Sequence, residues 1–419
     1  MTIRIEEVDA WTILDSRGRP TIRVEVRCSD GTSARGDAPA GASRGSREAA
    51  ELRDGAHEWH GFGVKAAVCA ATTELAAAIY GKDVCAQEEV DRAMRDADGT
   101  ADLSRLGGNA IIAISAAVAR CGAIARGLPL YRHLARRSMD FPPVPLMNVI
   151  NGGAHALNGL RIQECMIVPH GPATVADRVR CGAEIYATLR DQLRQAGGAT
   201  TVGDEGGFVL GFTSLDETLK HLTKAIARSD YRPGIDVSIA IDAAANGFFR
   251  DGIYEPEPGI SLTSTELVDW WSGLVARHPI VMLEDACAED DNAGWRLLTD
   301  RLGSLVRIVG DDNFVTNAAT IASAAHSGIA NTALIKPNQA GTLSDALAAV
   351  RSAREARYQI VVSHRSGETA DTLVADLAWS CAAEYLKAGA PARAERTEKY
   401  NRLIEIERTA KGAREPASR

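Results

Sequence analysis

Six short apolar runs in the second half of this chain each stop on a side chain able to do chemistry: Asp242, Glu284, Asp311, Lys336, His364 followed by Arg365, and Lys387. Three acids on successive runs repel one another unless a cation lies between them, and hard oxygen donors with no cysteine or histidine pair select Mg²⁺ over zinc. Asp242, Glu284 and Asp311 are therefore the candidate metal ligands. Two lysines, a histidine and an arginine stand against them, a mixture that suits a substrate with several negative charges, such as a phosphorylated carboxylate. Arg365 offers a bidentate fork to phosphate, and the backbone N–H of Ser366 adds a donor from the Ser-Gly turn. Lys336, set among positive charges, is expected to have a lowered pKa, as a general base for a carbon-bound proton requires. Glu164, in Ile162-Gln163-Glu164-Cys165, and Glu205, in Gly203-Asp204-Glu205-Gly206-Gly207, add two carboxylates. The glycine-flanked turn lets Glu205 approach a ligand closely and protonate a leaving hydroxyl.

These residues need a scaffold that gathers strand ends. Val237–Asp242, Ile280–Glu284, Val306–Asp311, Thr332–Lys336, Gln359–His364 and Tyr385–Lys387 read as strands covered on both faces, with a helix between each pair. Val144–Asn148 and Gln163–Val168 bring the count to about eight, which predicts an irregular TIM-type (β/α)8 barrel with its functional ends around one mouth. The irregularity lies in two successive helical segments near 174–196 and 214–229. Ahead of the barrel, Thr21–Arg27 alternates as a half-buried strand, Ser29-Asp30-Gly31 turns a hairpin, and helical spacing marks 46–54, 63–79, 86–96 and 108–126. The expected organisation is a small α+β N-terminal domain over 1–130, a proline-containing linker over 131–145 and a catalytic barrel over 146–419.

Composition narrows the partners. A chain of 419 residues with a net charge of −8 and a pI near 5.7 has no surplus of cations for phosphate backbones or anionic membranes, so neither nucleic acid nor a membrane is expected to bind. The eight cysteines are scattered without metal-binding spacing, which fits reduced thiols in the cytoplasm. Met1–Glu7 carries charge where a secretory segment is apolar, and the apolar run Asn109–Leu128 is interrupted by Arg120 and Arg126, as in a buried helix.

Read in order, Leu14-Asp-Ser-Arg-Gly-Arg-Pro-Thr21, Glu51-Leu-Arg-Asp-Gly55, Asn148-Val-Ile-Asn-Gly-Gly-Ala-His155, Gly203-Asp-Glu-Gly-Gly-Phe208, Leu283-Glu-Asp285, Val309-Gly-Asp-Asp312, Leu334-Ile-Lys-Pro-Asn-Gln339, Ser363-His-Arg-Ser-Gly-Glu-Thr369 and Glu398-Lys-Tyr-Asn401 resemble the enolase family over nearly the whole chain. The resemblance implies an enolase-type barrel behind a small N-terminal domain, Mg²⁺ dependence and a homodimer or higher oligomer. It implies dehydration of 2-phosphoglycerate to phosphoenolpyruvate, with Asp242, Glu284 and Asp311 on the tighter metal and Lys336 abstracting the proton. Glu205, assisted by Glu164, takes the acid role, while His155, Gln163, Arg365, Ser366 and Lys387 bind substrate with His364 near the phosphate.

Departures flank these groups. Where enolases carry Pro-Ser-Gly-Ala-Ser-Thr-Gly, whose first serine ligates a second Mg²⁺, this chain reads Pro39-Ala40-Gly41-Ala42-Ser43-Arg44-Gly45. Asp242-Ala-Ala-Ala-Asn-Gly-Phe248, Lys387-Ala-Gly-Ala390, Leu157 and Cys165 also differ from the usual residues. Drift in a glycolytic enzyme accounts for them. So does a paralogue that takes a related or larger phosphate or phosphonate substrate in natural-product biosynthesis, for example to form carboxyphosphonoenolpyruvate. A third reading is a non-catalytic protein that retains the fold for binding.

Overall fold

The computed structural model describes residues 2–41, 47–135, 141–156 and 159–412. In the N-terminal domain, Ile5–Leu14, Pro20–Cys28 and Ser33–Asp37 form an antiparallel meander packed on the helix Gly108–Ala125. Gly36 permits the close approach, because a Cβ there would lie 2.2 Å from the Ala113 carbonyl oxygen. The helix is long and apolar enough to cross a membrane, yet 83% of it is buried, with Ile111, Ile114 and Val118 in the domain's core. Helices at Lys65–Ala70, Ala76–Ile79 and Gln87–Asp98 complete this layer.

The second domain is the expected barrel with a small α+β domain ahead of it. Its strands are Val144–Asn151, Glu164–Val168, Ser238–Asp242, Ile280–Glu284, Arg307–Gly310, Thr332–Ile335, Gln359–Ser363 and Tyr385–Lys387, and the last closes onto the first. All neighbours run parallel except Glu164–Val168, which is antiparallel to both of its neighbours. This reversal is part of the barrel's irregularity and has a useful consequence. Glu164 is the first residue of its strand, and reversal brings that end to the mouth where the other strands finish. Between this pair and the next strand lie the successive helices Val175–Gln195 and Leu215–Arg228.

Side chains alternate along each strand, so residues two apart share a face. Leu146, Met166, Ala240, Met282, Val309, Leu334 and Val361 form an apolar plug inside the barrel. Two residues further along lie Asp242, Glu284, Asp311 and Lys336, so the plug is the floor on which the polar site stands.

Two expectations fail in detail. Over 47–54 there is no helix: Ala49 N donates to the Gln339 carbonyl (2.9 Å), Ala50 N to Asp102 (2.7 Å) and Leu52 N to Asn109 Oδ1 (3.0 Å), so tertiary partners take the amides a helix would use. The expected linker 131–145 includes most of a short helix, Leu130–Leu134, which packs against the barrel helix Leu373–Ser380, and the first strand begins at Val144.

Candidate active site

Strand register places three acids side by side, since Glu164 pairs with Asp242 and Asp242 with Glu284. Lys387 reaches into the middle of them. Its Nζ lies 2.7 Å from Asp242, 2.9 Å from Glu284 and 3.3 Å from Glu164, all with nearly fully buried side chains. Burial opposes the charge on Lys387, but these carboxylates outweigh it and hold the ammonium well above its ordinary range. Glu284, wholly buried beside Asp242, is pushed up to about 8. Asp311 is ion-paired with Lys336 Nζ and accepts from Gln339 Nε2 at 2.9 Å.

The sequence expectation for Lys336 is reversed here. Burial, the largest influence, pushes its pKa down, and Arg365 and Lys387 do the same, but Asp311 and Glu284 outweigh them and the net shift is upward. Counting only the surrounding cations missed the carboxylate that touches the amine. The backbone holds this lysine firmly, because Lys336 N donates to Thr316 Oγ1 (2.9 Å), which in turn donates to Gln339 Oε1 (2.7 Å). Val315 and Thr316, both β-branched, sit in the left-handed region at φ 44° and 54°, as do Ala244 and Asp285 behind other strand ends. Strain of this kind persists where surrounding contacts over-determine the backbone. At Asp285 they do, for its carboxylate accepts the N–H groups of Asp311 and Asp312 at 2.9 and 3.0 Å.

The two candidate acids meet at His155, 3.9 Å from Glu164 and 3.8 Å from Glu205. Burial and the charge of Glu205 raise the Glu164 carboxyl well above the usual range. Glu205 is driven the other way: burial opposes ionisation, but His364, His155 and Arg396 outweigh it. Burial pushes His364 itself down to about 3, and its Nε2 lies 3.4 Å from Glu205. Asn148 Nδ2 also donates to Glu205, at 3.2 Å. Two neighbouring carboxyl groups pushed in opposite directions form a proton donor–acceptor pair.

One cleft is lined by His155, Gln163, Glu164, Glu205, Asp242, Lys336, His364, Arg365, Ser366 and Lys387. Glu284 and Asp311 join it through the two lysines. The structure thus brings all the candidate residues together, though not all in the expected poses. His364 faces Glu205, and the fork of Arg365 is engaged by Glu48 at 2.7 and 3.3 Å and by Asn338 Oδ1 at 3.3 Å. Gln163 Nε2 lies 3.4 Å from Asp242 Oδ2. Ala40 is buried and exchanges two backbone hydrogen bonds of 2.8 Å with Gly367, beside Ser366. Arg44 and Leu157 lie outside the described residues.

Residues that the sequence did not single out include Glu48, Asn148, Gln339, Asp285 and Arg396. Gln339 and Asp285 sit inside the segments that were read, next to Lys336 and Glu284, and their carboxyl or amide groups were the available signal. Glu48 and Arg396 had none, since each reads as an ordinary helical surface charge.

The donor set can be tested for a metal. Asp242, Glu284 and Asp311 offer only carboxylate oxygen, Glu164 Oε2 is buried without a hydrogen-bond partner among the described residues, and the acids are juxtaposed closely enough to need the ammonium of Lys387 between them. This fits a hard dication. Among the described residues, however, the groups whose ligand atoms lie within 4.8 Å of one another are His155, Glu164 and Glu205, and Asp285, Asp311 and Asp312, and not the triad Asp242, Glu284 and Asp311, whose carboxylates are turned to Lys387 and Lys336.

A barrel mouth that sets a buried lysine and a carboxyl pair beside clustered acids, behind a small α+β domain, is the arrangement of a barrel enzyme with a candidate cation site. The family model described as enolase, C-terminal TIM barrel domain, matches residues 140–414, and that described as enolase, N-terminal domain, matches residues 5–134. The chain is 45% identical over 407 residues to the enolase of a Nitratiruptor species, covering 97% of both chains. This chain belongs to the enolase family and is an enolase-type hydro-lyase.

Proposed function

We propose that the chain dehydrates 2-phosphoglycerate to phosphoenolpyruvate with Mg²⁺ as cofactor. The observation that carries this is the barrel order: the strand leading to Lys336 stands four strands from that of Glu164 in either direction, directly across the mouth. Base and acid then address opposite faces of a substrate lying between them. Lys336 accepts the proton from carbon 2; Asp311 and Glu284 favour its ammonium form, and a dication on those carboxylates would offset their hold and leave Arg365 and Lys387 to favour the free amine. Glu205, favoured as the carboxylate, takes a proton from the protonated Glu164 beside it and passes it to the departing hydroxyl. Arg365, Ser366 and His155 hold the phosphate and carboxylate, with Gln163 and Lys387 completing the binding set and His364 steadying Glu205. Asp242, Glu284 and Asp311 would hold Mg²⁺, which when bound neutralises charge building on the substrate carboxylate. We place the enzyme in the cytoplasm, in glycolysis, as a homodimer or higher oligomer. Formation of the enol phosphate, followed by ultraviolet absorbance with and without a chelator, tests the reaction: turnover that survives metal removal contradicts it.

A cleft of about 790 Å³ favours a second reading. It opens beside Gln163 and is lined by Arg161, Arg250 and, within the departing stretch Asp242–Phe248, Asn246 and Gly247. A related or larger phosphate or phosphonate substrate would use that space. A kcat/KM for a bulkier phosphonate analogue above that for 2-phosphoglycerate would select it.

A further inference from the structure

We propose that Arg396 is a positioning residue that fixes His364 in the tautomer with its proton on Nε2, presenting that N–H to Glu205. Arg396 lies in the first turn of the final helix, Ala394–Gly412, and is completely buried. Its Nη1 lies 2.7 Å from His364 Nδ1 and 2.7 Å from the Arg365 carbonyl oxygen. Its Nη2 reaches the carbonyls of Ser366 (2.5 Å) and Asp204 (3.1 Å) and the Ser16 hydroxyl at 3.2 Å. A guanidinium has five N–H donors, no acceptor, and stays protonated. The close partner on Nδ1 must therefore meet a lone pair, which leaves Nε2 as the protonated nitrogen of a neutral ring.

Nε2 points where that proton is useful. It is buried, makes no hydrogen bond among the described residues, and lies 3.4 Å from Glu205 Oε2. The charged groups facing the ring are Glu205, Arg396 and Lys387. An imidazolium would turn a second N–H against the guanidinium, so two cations and a clashing donor oppose protonation. A donor aimed at Glu205 stabilises its carboxylate and makes its protonated form a stronger acid. The same guanidinium ties the Asp204 carbonyl, one residue before Glu205, to those of Arg365 and Ser366. One buried cation thereby links the acid-bearing loop to the turn that holds the substrate's anions.

The catalytic consequence rests on reading Glu205 as the acid, but the tautomer does not, and the test separates them. In ¹⁵N-histidine spectra of the full chain at neutral pH, with His364 assigned by loss of its signals in His364→Gln, Nδ1 is expected to be unprotonated and Nε2 protonated. A protonated Nδ1, alone or in an imidazolium, overturns the proposal whatever the substrate proves to be. Arg396→Met should lower kcat about 10- to 100-fold, as loss of an orienting partner typically does, with a smaller change in KM and a mixed His364 tautomer. Arg396→Lys keeps a donor and should restore both rate and tautomer. An unchanged His364 tautomer in Arg396→Met overturns the proposal at any rate.

Discussion

The rim of the barrel and the N-terminal segments that lie over it are built on different terms. At the rim, the reacting groups other than Glu205, which sits in the turn Gly203–Gly207, lie at or beside a strand end fixed by its hydrogen-bond ladder and the apolar plug, and register aligns Glu164, Asp242 and Glu284 across three neighbours. The segments above have no ladder. Ser16 is tied to the Glu368 carbonyl at 2.7 Å, Ala40 to Gly367 at 2.8 Å, Ala49 to Gln339 at 2.9 Å, and Asn338 reaches the Pro39 carbonyl at 3.3 Å. A few contacts decide what closes over the site. The rim therefore sets which bonds are made and broken, whereas the overlying segments can vary, as at Ala40, and change only what the rim is offered.

The largest effects should come from the rim. Lys336→Ala and Glu205→Gln are each expected to lower kcat by about 10²–10⁴, the usual contribution of a positioned acid or base. A loss below tenfold in either breaks the division of labour. Next comes the seam. Glu48→Ala leaves the buried guanidinium of Arg365 without its carboxylate and should cost about 3–5 kcal/mol in denaturant unfolding, against little change if the overlying segments contribute nothing to stability.

Further from the chemistry, Asp91 anchors the N-terminal domain to the barrel by accepting Ser344 N (3.0 Å) and Oγ (2.6 Å). Burial pushes its carboxyl up to about 6 from an ordinary 3.8. A raised pKa in the folded state favours the protonated form, so its stabilisation is fully present below the unfolded value and is lost as pH rises through about 6. The loss is on the order of 3 kcal/mol, at about 1.4 kcal/mol per pH unit. Urea titrations of Asp91→Asn should show that this decline is gone, and equal slopes for both proteins would contradict the assignment. The smallest change is expected from Ala40→Ser, with stability shifted by less than about 1 kcal/mol. Calorimetric Mg²⁺ titration in the presence of substrate should gain a second binding event in this variant, and an unaltered stoichiometry would show that the overlying segment does not limit metal binding.

The same contrast explains what the sequence disclosed. Asp242, Glu284, Asp311, Lys336 and Lys387 were legible because each stands at the end of a short, near-continuous apolar run. The reversed direction of Glu164–Val168 was not, since an apolar run carries no arrow. The stretch 47–54 has helical spacing, but its amides find partners from residues far away in the chain. Arg396 and Lys399 were hidden because the final helix buries charged side chains beneath the mouth, where periodicity leads one to expect an apolar stripe. The protonation of Lys336 depends on a contact with Asp311 that no spacing reveals.

The central claim is that Lys336 removes the proton from carbon 2 and Glu205 releases the hydroxyl from the other side. Exchange of the carbon-2 proton of 2-phosphoglycerate in deuterated water tests it most directly. Exchange should persist in Glu205→Gln while dehydration is lost, and should vanish in Lys336→Ala. Exchange at the wild-type rate in Lys336→Ala would contradict it.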